Sequence, residues 1–147
     1  MRTSYKTYSL CAVYDVLSHE NTYSDLVYDG SPALSHFIPD MKRNAWFILK
    51  SDKDTAGLIM LEPLNNVLWT AHIVIYEAYR GAGSEEWGKQ VADYMRQYCN
   101  AKKFIAMTPY ETAKNYAERT GFKLLTVLEK SIKKNGELMD QYILEMK

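Results

Sequence analysis

Residues 67–98 read VLWTAHIVIYEAYRGAGSEEWGKQVADYMRQY and hold the strongest structural signal in the chain. Val67–Tyr76 is apolar on both faces, which is typical of a strand in the middle of a sheet. After a short glycine-containing loop, apolar side chains recur at helical spacing from Trp87 to Tyr98. Ser84 stands where such a helix would have its N-cap. The stretch therefore predicts a central strand that leads directly into an amphipathic helix.

The loop between the two elements, Tyr79–Ser84, has the composition of an anion site. Gly81 and Gly83 allow a tight turn and let the backbone approach a ligand without a Cβ atom in the way. The start of the following helix leaves backbone N–H groups unpaired, and its dipole makes that end partly positive. These features suit a phosphate group. Any strand-to-helix turn can also use glycine for purely structural reasons, so the loop alone leaves both interpretations open.

Outside residues 67–98, the chain alternates between strand and helix patterns. The predicted strands are Tyr5–Leu10, Trp46–Leu49, Gly57–Leu61, Phe104–Met107, Phe122–Leu128 and Met139–Leu144. The predicted helical segments are Cys11–Tyr28 and Thr112–Thr120, the second ended by Gly121. Ser31–Asn44 is predicted as a loop with a short helix, and Asn135-Gly136 as a hairpin turn. The three strands before the loop are joined by short turns and should pair antiparallel.

The length, charge and cysteine content of the chain limit the possible architectures and functions. The 147 residues suit one α/β domain with a mixed sheet, spanning 1–147. Eighteen basic residues balance eighteen acidic ones, so the net charge provides no positive electrostatic potential that would attract a nucleic acid backbone. Cys11 and Cys99 form no CxxC pair, so a metal site and a disulfide framework are not expected. With no apolar run of membrane-spanning length, we expect no membrane partner and a cytoplasmic protein.

The loop and its surroundings resemble the GNAT superfamily of acyl-CoA-dependent N-acyltransferases. The family loop, Arg/Gln-x-x-Gly-x-Gly/Ala between a strand and a helix, is matched by Arg80-Gly81-Ala82-Gly83-Ser84 except that Glu85 replaces its last small residue. The segment AKNYAERTGF, Ala113–Phe122, resembles the family's second motif. The order of elements is also that of the family, and the resemblance covers most of the chain.

The resemblance implies acetyl-CoA as cosubstrate, without a metal, and an amine of a small molecule or a protein as acceptor. It implies that the backbone of Val74, Ile75 and Tyr76 pairs with the pantetheine arm. It implies a pyrophosphate site formed by Arg80, Gly81, Ala82, Gly83, Ser84 and Glu85. Glu85 and Glu86 stabilise the start of a helix, but they also repel a bound pyrophosphate.

The positions of the general acid and base depart from the family pattern. The family's frequent tyrosine acid falls on Ala117, and Tyr116 lies one residue earlier, about 100° around a helix. Tyr116 is therefore a candidate acid or a core residue. His72 titrates in the right range for a base, but strand alternation turns it away unless a bulge re-aims it. Glu77, at the strand end, is either a base acting through water or a solvated carboxylate.

Two functions remain open at this point. The first is an N-acetyltransferase, and the second is a weak or inactive GNAT-like protein with a structural or assembly role. The second is suggested by a looser resemblance to short phage-encoded GNAT-like proteins, some of which are regarded as virion components. The acceptor side would comprise Cys11–Asp40 and Lys130–Met139, with Tyr14, Tyr23, Tyr28 and Phe37 lining a pocket or packing the core. The long strand and the final hairpin offer surfaces for a homodimer.

Overall fold

The computed structural model describes all residues from Met1 to Lys147. It contains seven strands and four α-helices. The strands are β1 (Arg2–Thr7), β2 (Ala45–Ser51), β3 (Asp54–Pro63), β4 (Leu68–Ile75), β5 (Lys103–Thr108), β6 (Lys123–Lys134) and β7 (Glu137–Met146). The helices are α1 (Leu10–Leu17), α2 (Thr22–Leu26), α3 (Glu85–Tyr98) and α4 (Glu111–Thr120). Two short 3₁₀ turns cover Leu34–His36 and Glu77–Tyr79.

The strands form one sheet in the order β1-β2-β3-β4-β5-β7-β6, so β4 is the middle strand. All neighbours pair antiparallel except β4 and β5, which are parallel. This mixed, mostly antiparallel sheet with flanking helices confirms the predicted fold class. The predicted central strand, its antiparallel partner at Gly57–Leu61 and the helix that follows the loop are likewise confirmed.

Each face of the sheet carries its own apolar core. On one face, α3 packs Trp87, Val91 and Met95 against the inward side chains of β2 and β3. On the other face, α1 packs Val13, Val16 and Leu17 against Trp46, Ile48, Leu58 and Val74. Alternate residues of one strand point to opposite faces, so β2 contributes to both cores and is almost completely buried. The sheet therefore holds the helices on both sides of the middle strand.

The end of the first predicted strand and the predicted capping by the Ser84 side chain are wrong, because side chains bond to the backbone differently from the prediction. The first strand ends at Thr7 rather than Leu10, since Ser9 Oγ accepts a hydrogen bond from Ala12 N at 3.2 Å and starts α1. The Ser84 side chain does not cap α3, although the helix does begin beside it. Its hydroxyl instead donates to Gly81 O at 2.6 Å and closes the loop.

The last third of the chain follows its turn signals closely. Gly121 ends α4 in the left-handed region, with φ of 119°. Asn135 and Gly136 have φ of 53° and 79° and join β6 to β7.

Both cysteines are free thiols. None of the helices combines the length and the apolar character needed to cross a membrane.

Candidate functional site

A cleft opens where β4 and β5 separate. The two strands pair only at Leu68, Trp69 and Thr70 of β4, and beyond the pair Thr70–Ile105 they diverge. The far half of β4 therefore has a partner only on its β3 side, and a cavity of about 490 Å³ lies alongside it. Its walls come from β4, the Arg80–Ser84 loop and α4.

The direction of the β4 backbone groups follows from the strand register. Tyr76 N donates to Ala56 O at 2.7 Å, so the amide of this residue faces β3. By alternation the groups of Val74 also face β3, whereas those of Ile73 and Ile75 face the cleft. Ile75 O indeed accepts a hydrogen bond from Arg80 Nε at 2.8 Å. The register between β3 and β4 shows no bulge, so the bulge considered for re-aiming His72 is absent.

The loop at the end of the cleft presents backbone N–H groups. Gly81 and Gly83 have φ of 108° and 90°, a region that glycine adopts without strain. The N–H groups of Gly81 and Ala82 donate no hydrogen bond within the chain. Gly83 N donates to Glu85 Oε2 at 3.0 Å. Part of the predicted anion site is therefore free, and part of it holds the carboxylate of the chain itself.

Tyr116 inserts its hydroxyl into the first turn of α3. The hydroxyl donates to Ser84 O at 3.1 Å and accepts from Gly88 N at 3.2 Å. These two groups would bond to each other in a regular helix, so the phenol bridges a break in the helical ladder. Burial raises the pKa of Tyr116 to about 12. The hydroxyl is thus held by backbone partners at the base of the loop, and Tyr116 also lines a second cavity, deeper in the molecule.

A second, inner cavity of about 130 Å³ continues from the cleft and is lined mainly by apolar side chains. His72 and Tyr116 both line it, together with Tyr28 and Tyr110. His72 stays accessible through this opening, yet the surrounding protein desolvates the ring and lowers its pKa. Glu62, on the neighbouring strand, opposes this shift electrostatically. His72 is therefore neutral at neutral pH, the form that accepts a proton.

Glu77 lies apart from the other two candidate residues. It is exposed in the 3₁₀ turn Glu77–Tyr79 and lines neither the cleft nor the inner cavity. The structure therefore brings His72 and Tyr116 to one cavity and leaves Glu77 outside it. No group of three or more His, Cys, Asp or Glu side chains is arranged to hold a metal ion.

The β6–β7 hairpin turn is bonded to the segment around Tyr28, a residue that lines the inner cavity. Asp29 accepts hydrogen bonds from Asn135 N at 2.8 Å and Gly136 N at 2.9 Å, and these bonds lower the pKa of Asp29. Lys134 Nζ donates to Ser24 O at 2.6 Å and lies 5.8 Å and 5.5 Å from the ring centroids of Tyr28 and Tyr110. Of the four aromatic residues proposed for a pocket, Tyr28 lines it, whereas Tyr23 and Phe37 pack in the core of the α1 face.

Sequence reasoning missed Arg119, which faces the loop from α4. Its Nε lies 3.6 Å from Glu85 Oε2, and its Nη2 donates to Ser84 Oγ at 3.5 Å. Arg119 follows Tyr116 by three residues and therefore lies on the same side of α4. That spacing was the available signal, because both side chains must then point towards the start of α3.

Comparison with known proteins finds similarity in structure only. No protein-family model matches the sequence, and no curated protein matches it. Among solved structures, a spermidine N-acetyltransferase from Vibrio cholerae in complex with CoA and spermine is similar, with a TM-score of 0.76, 17% identity, and coverage of 99% of this chain and 94% of that chain. A ribosomal L7/L12 α-N-protein acetyltransferase in complex with CoA has a TM-score of 0.76 at 9% identity, covering 98% and 93%. A ribosomal-protein-S5-alanine acetyltransferase from Vibrio fischeri has a TM-score of 0.72 at 13% identity, covering 99% and 92%.

The fold of this chain is that of the GNAT N-acetyltransferases. Two of these neighbours are CoA complexes, and their named acceptors are a polyamine and a ribosomal protein. Identities of 9–17% extend the likeness to the fold and no further.

Proposed function

We propose that the chain is an acyl-CoA-dependent N-acetyltransferase that acts on an amine of a small molecule or a protein. The observation that carries the proposal is the position of the Arg80–Ser84 loop at the end of the cleft between β4 and β5. The cleft suits an extended arm with amide groups, and the loop suits an anion at the end of that arm. The fold of the CoA-bound neighbours supports the same assignment.

In this proposal the pantetheine arm pairs with the backbone groups that face the cleft. These belong to Ile75, which the family resemblance implied, and to Ile73 by strand alternation. The groups of Val74 and Tyr76, which the resemblance also implied, face β3 instead. The pyrophosphate binds the free N–H groups of Gly81 and Ala82 and, once Glu85 has moved away, that of Gly83. Arg80, Arg2 and Arg119 are the cations around this loop. The acyl carbon then lies towards the inner cavity, where a β4 backbone N–H can stabilise the charge that develops on the thioester oxygen.

His72 is the proposed general base, because it lines the inner cavity and is neutral at neutral pH. It would accept a proton from the acceptor ammonium before attack, or from the amine nitrogen as it attacks, directly or through one water. Tyr116 is a weaker candidate acid for the departing thiolate, because its raised pKa opposes proton donation. Glu77 would have to act from outside the cavity, through water. Holding the amine beside the thioester supplies a large part of the rate in any case.

The acceptor is proposed to carry a primary ammonium group. One such group is already held beside two residues that line the inner cavity: the Lys134 ammonium lies near the rings of Tyr28 and Tyr110 and donates to a backbone carbonyl. Aromatic faces and carbonyl oxygens both stabilise a cation. A small polyamine or a protein amine would meet the same chemistry there.

Binding of CoA to the loop can be tested by the melting temperature. A ligand that binds only the folded protein raises it, so acetyl-CoA should produce a shift that grows with concentration. Gly83→Leu should abolish the shift, because a Cβ at φ of 90° is strained and would lie 2.5 Å from Arg2 Nη1. Gly30→Leu is the matched control, since Gly30 has φ of 92° and open space around it. No shift with millimolar acetyl-CoA in the unmodified protein would refute the proposal.

Turnover is then measured as thiol release from acetyl-CoA with a panel of primary amines and peptides. His72→Ala should lower kcat at least tenfold with CoA binding retained, because general base catalysis contributes about 10²–10⁴-fold. Glu77→Gln, which alters a carboxylate outside the cavity, should have a smaller effect. Equal rates in both variants would remove the chemical role of His72 and leave catalysis by positioning.

A second candidate is a protein that keeps this fold for a structural or assembly role. The observation that favours it is the pair of intramolecular contacts in the site, Glu85 on Gly83 N and Tyr116 on the first turn of α3. The first contact occupies a loop N–H that would bind the pyrophosphate, and the second occupies the hydroxyl of the candidate acid. CoA binding without turnover for any acceptor in the panel would favour this second function.

A further inference from the structure

The carboxylate of Glu85 lies on the loop that is proposed to hold the pyrophosphate. Its Oε2 accepts the Gly83 N–H at 3.0 Å, and its side chain is only 25% exposed. The carboxylate also interacts with the N–H of Glu85 itself, and these backbone contacts lower its pKa. Glu85 is therefore ionised at neutral pH and binds the loop as an anionic ligand would.

The same carboxylate engages Arg119, a cation that reaches the loop from α4. Arg119 Nε lies 3.6 Å from Glu85 Oε2, and Arg119 Nη2 reaches Ser84 Oγ at 3.5 Å. A phosphate bound at this loop would use the same N–H group and the same guanidinium, since both are suited to anions. One donor cannot serve both anions fully, and two anions side by side also repel each other.

We propose that Glu85 determines the affinity of this protein for acyl-CoA by acting as an internal anion that the pyrophosphate must displace. The inference rests on the proposed function. Without ligand, the Glu85 carboxylate occupies the Gly83 N–H of the loop. Only molecules in which this side chain has moved away can offer all the loop N–H groups to the pyrophosphate. The apparent dissociation constant is then the intrinsic one divided by that fraction.

The fold supplies a close control for Glu85. Glu86 is in the same first turn of α3 and carries the same charge, but it is exposed and its side chain makes no hydrogen bond or ion pair. Removing either carboxylate changes the net charge and the interaction with the helix dipole equally. Only Glu85→Ala also releases Gly83 N and Arg119. A difference between the two variants therefore reports the contact with the loop rather than general electrostatics.

The experiment is calorimetric titration of the unmodified protein, Glu85→Ala and Glu86→Ala with CoA and with pantetheine. Pantetheine has the same arm without the pyrophosphate and the nucleotide. Glu85→Ala should bind CoA about 10-fold to 100-fold more tightly, the range expected for replacing a charge-assisted hydrogen bond. Its affinity for pantetheine should stay within about threefold of the unmodified protein, and Glu86→Ala should change the affinity for CoA by less than about threefold. Adding Arg119→Gln to Glu85→Ala should remove most of the gain.

The outcomes separate the inference from the function on which it rests. Equal CoA affinity in the unmodified protein and Glu85→Ala, or weaker binding by Glu85→Ala, overturns the role of Glu85 and leaves the transferase proposal standing. An equal gain for CoA and pantetheine also overturns it, because the pyrophosphate would then not be the competing group. Absence of CoA binding in all three proteins, each shown to be folded by its circular dichroism, refutes both.

Discussion

Replacing Tyr116 by phenylalanine separates a structural role of this residue from a catalytic one. The change removes the hydroxyl between Ser84 O and Gly88 N and with it two hydrogen bonds, of 3.1 Å and 3.2 Å. Each such bond contributes about 0.5–1.5 kcal/mol net to stability. Ser84 O and Gly88 N can partly recover by bonding to each other, as in a regular helix. We therefore expect the free energy of unfolding to fall by about 1–2 kcal/mol.

The assay is urea unfolding of both proteins, followed by thiol-release kinetics at saturating acetyl-CoA. A loss of this size lowers the melting temperature by about 2–4 °C per kcal/mol in a chain of this length. If the hydroxyl serves only to hold α3 and the loop, kcat should fall less than tenfold. A fall in kcat of about 10² or more, with unchanged stability, would refute this reasoning and make Tyr116 the general acid.

The raised pKa of Tyr116 adds a test by pH. The phenol titrates near its ordinary value of 10.0 in the unfolded chain and at about 12 in the folded protein. Between these values the unfolded state loses a proton that the folded state keeps, so stability falls as the pH rises. The contribution is complete below pH 10 and is lost towards pH 12. Stability in Tyr116→Phe should depend less steeply on pH over this range, and parallel curves would show that the phenol is not desolvated in the folded protein.

Three further variants test contacts in the fold. Gly57→Ala should abolish stable folding or cost more than about 3 kcal/mol, because the new Cβ would lie 2.1 Å from Val74 O in the β3–β4 pair; a normal urea midpoint would contradict this. Gly88→Ala should lower the free energy of unfolding by about 1–2 kcal/mol, since its Cβ would lie 2.8 Å from Thr120 Cγ2. Adding Thr120→Ala should restore part of the lost stability. A stabilised Gly88→Ala would mean that the higher helix propensity of alanine outweighs this close contact. Asp29→Asn should speed amide exchange in the hairpin turn at neutral pH, because it weakens the two hydrogen bonds from Asn135 N and Gly136 N. At a pH below the lowered pKa of Asp29, both proteins should exchange alike. Equal exchange at neutral pH would show that these bonds do not protect the turn.

The order of elements could be predicted because it rests on local patterns. The apolar run of β4, the helical spacing from Trp87 to Met95 and the turn residues at Asn135-Gly136 each act within a few positions of the sequence. The spacing of apolar residues determines whether an element is buried on one face or on two, and this spacing also distinguishes a strand from a helix. The boundaries were less accurate where one polar side chain decides them, as Ser9 does at the start of α1.

The interior of the site could not be predicted, because it depends on contacts between distant elements. Tyr116 meets Gly88 across 28 positions, and Arg119 meets Glu85 through the packing of α4 against α3. The sequence did raise the conflict between Glu85 and a pyrophosphate, since the residue replaces a small one in the family loop. It gave no means of knowing that the carboxylate bonds to Gly83 N, because that contact depends on the path of the loop.

If the proposed function is right, side chains of the protein itself already make contacts that the substrate groups would make. Glu85 lies where the pyrophosphate would bind, and Arg80 Nε bonds to Ile75 O where the pantetheine arm would pair. The Lys134 ammonium lies beside Tyr28 and Tyr110, which line the inner cavity. Because the apparent affinity falls with the fraction of molecules in which each contact is open, independent contacts multiply their effects. Releasing Glu85 alone should then improve the binding of CoA without improving that of pantetheine, and only a change at Arg80 should act on the arm. Modest affinity in the unmodified protein would follow from three ordinary intramolecular contacts, each removable by one substitution.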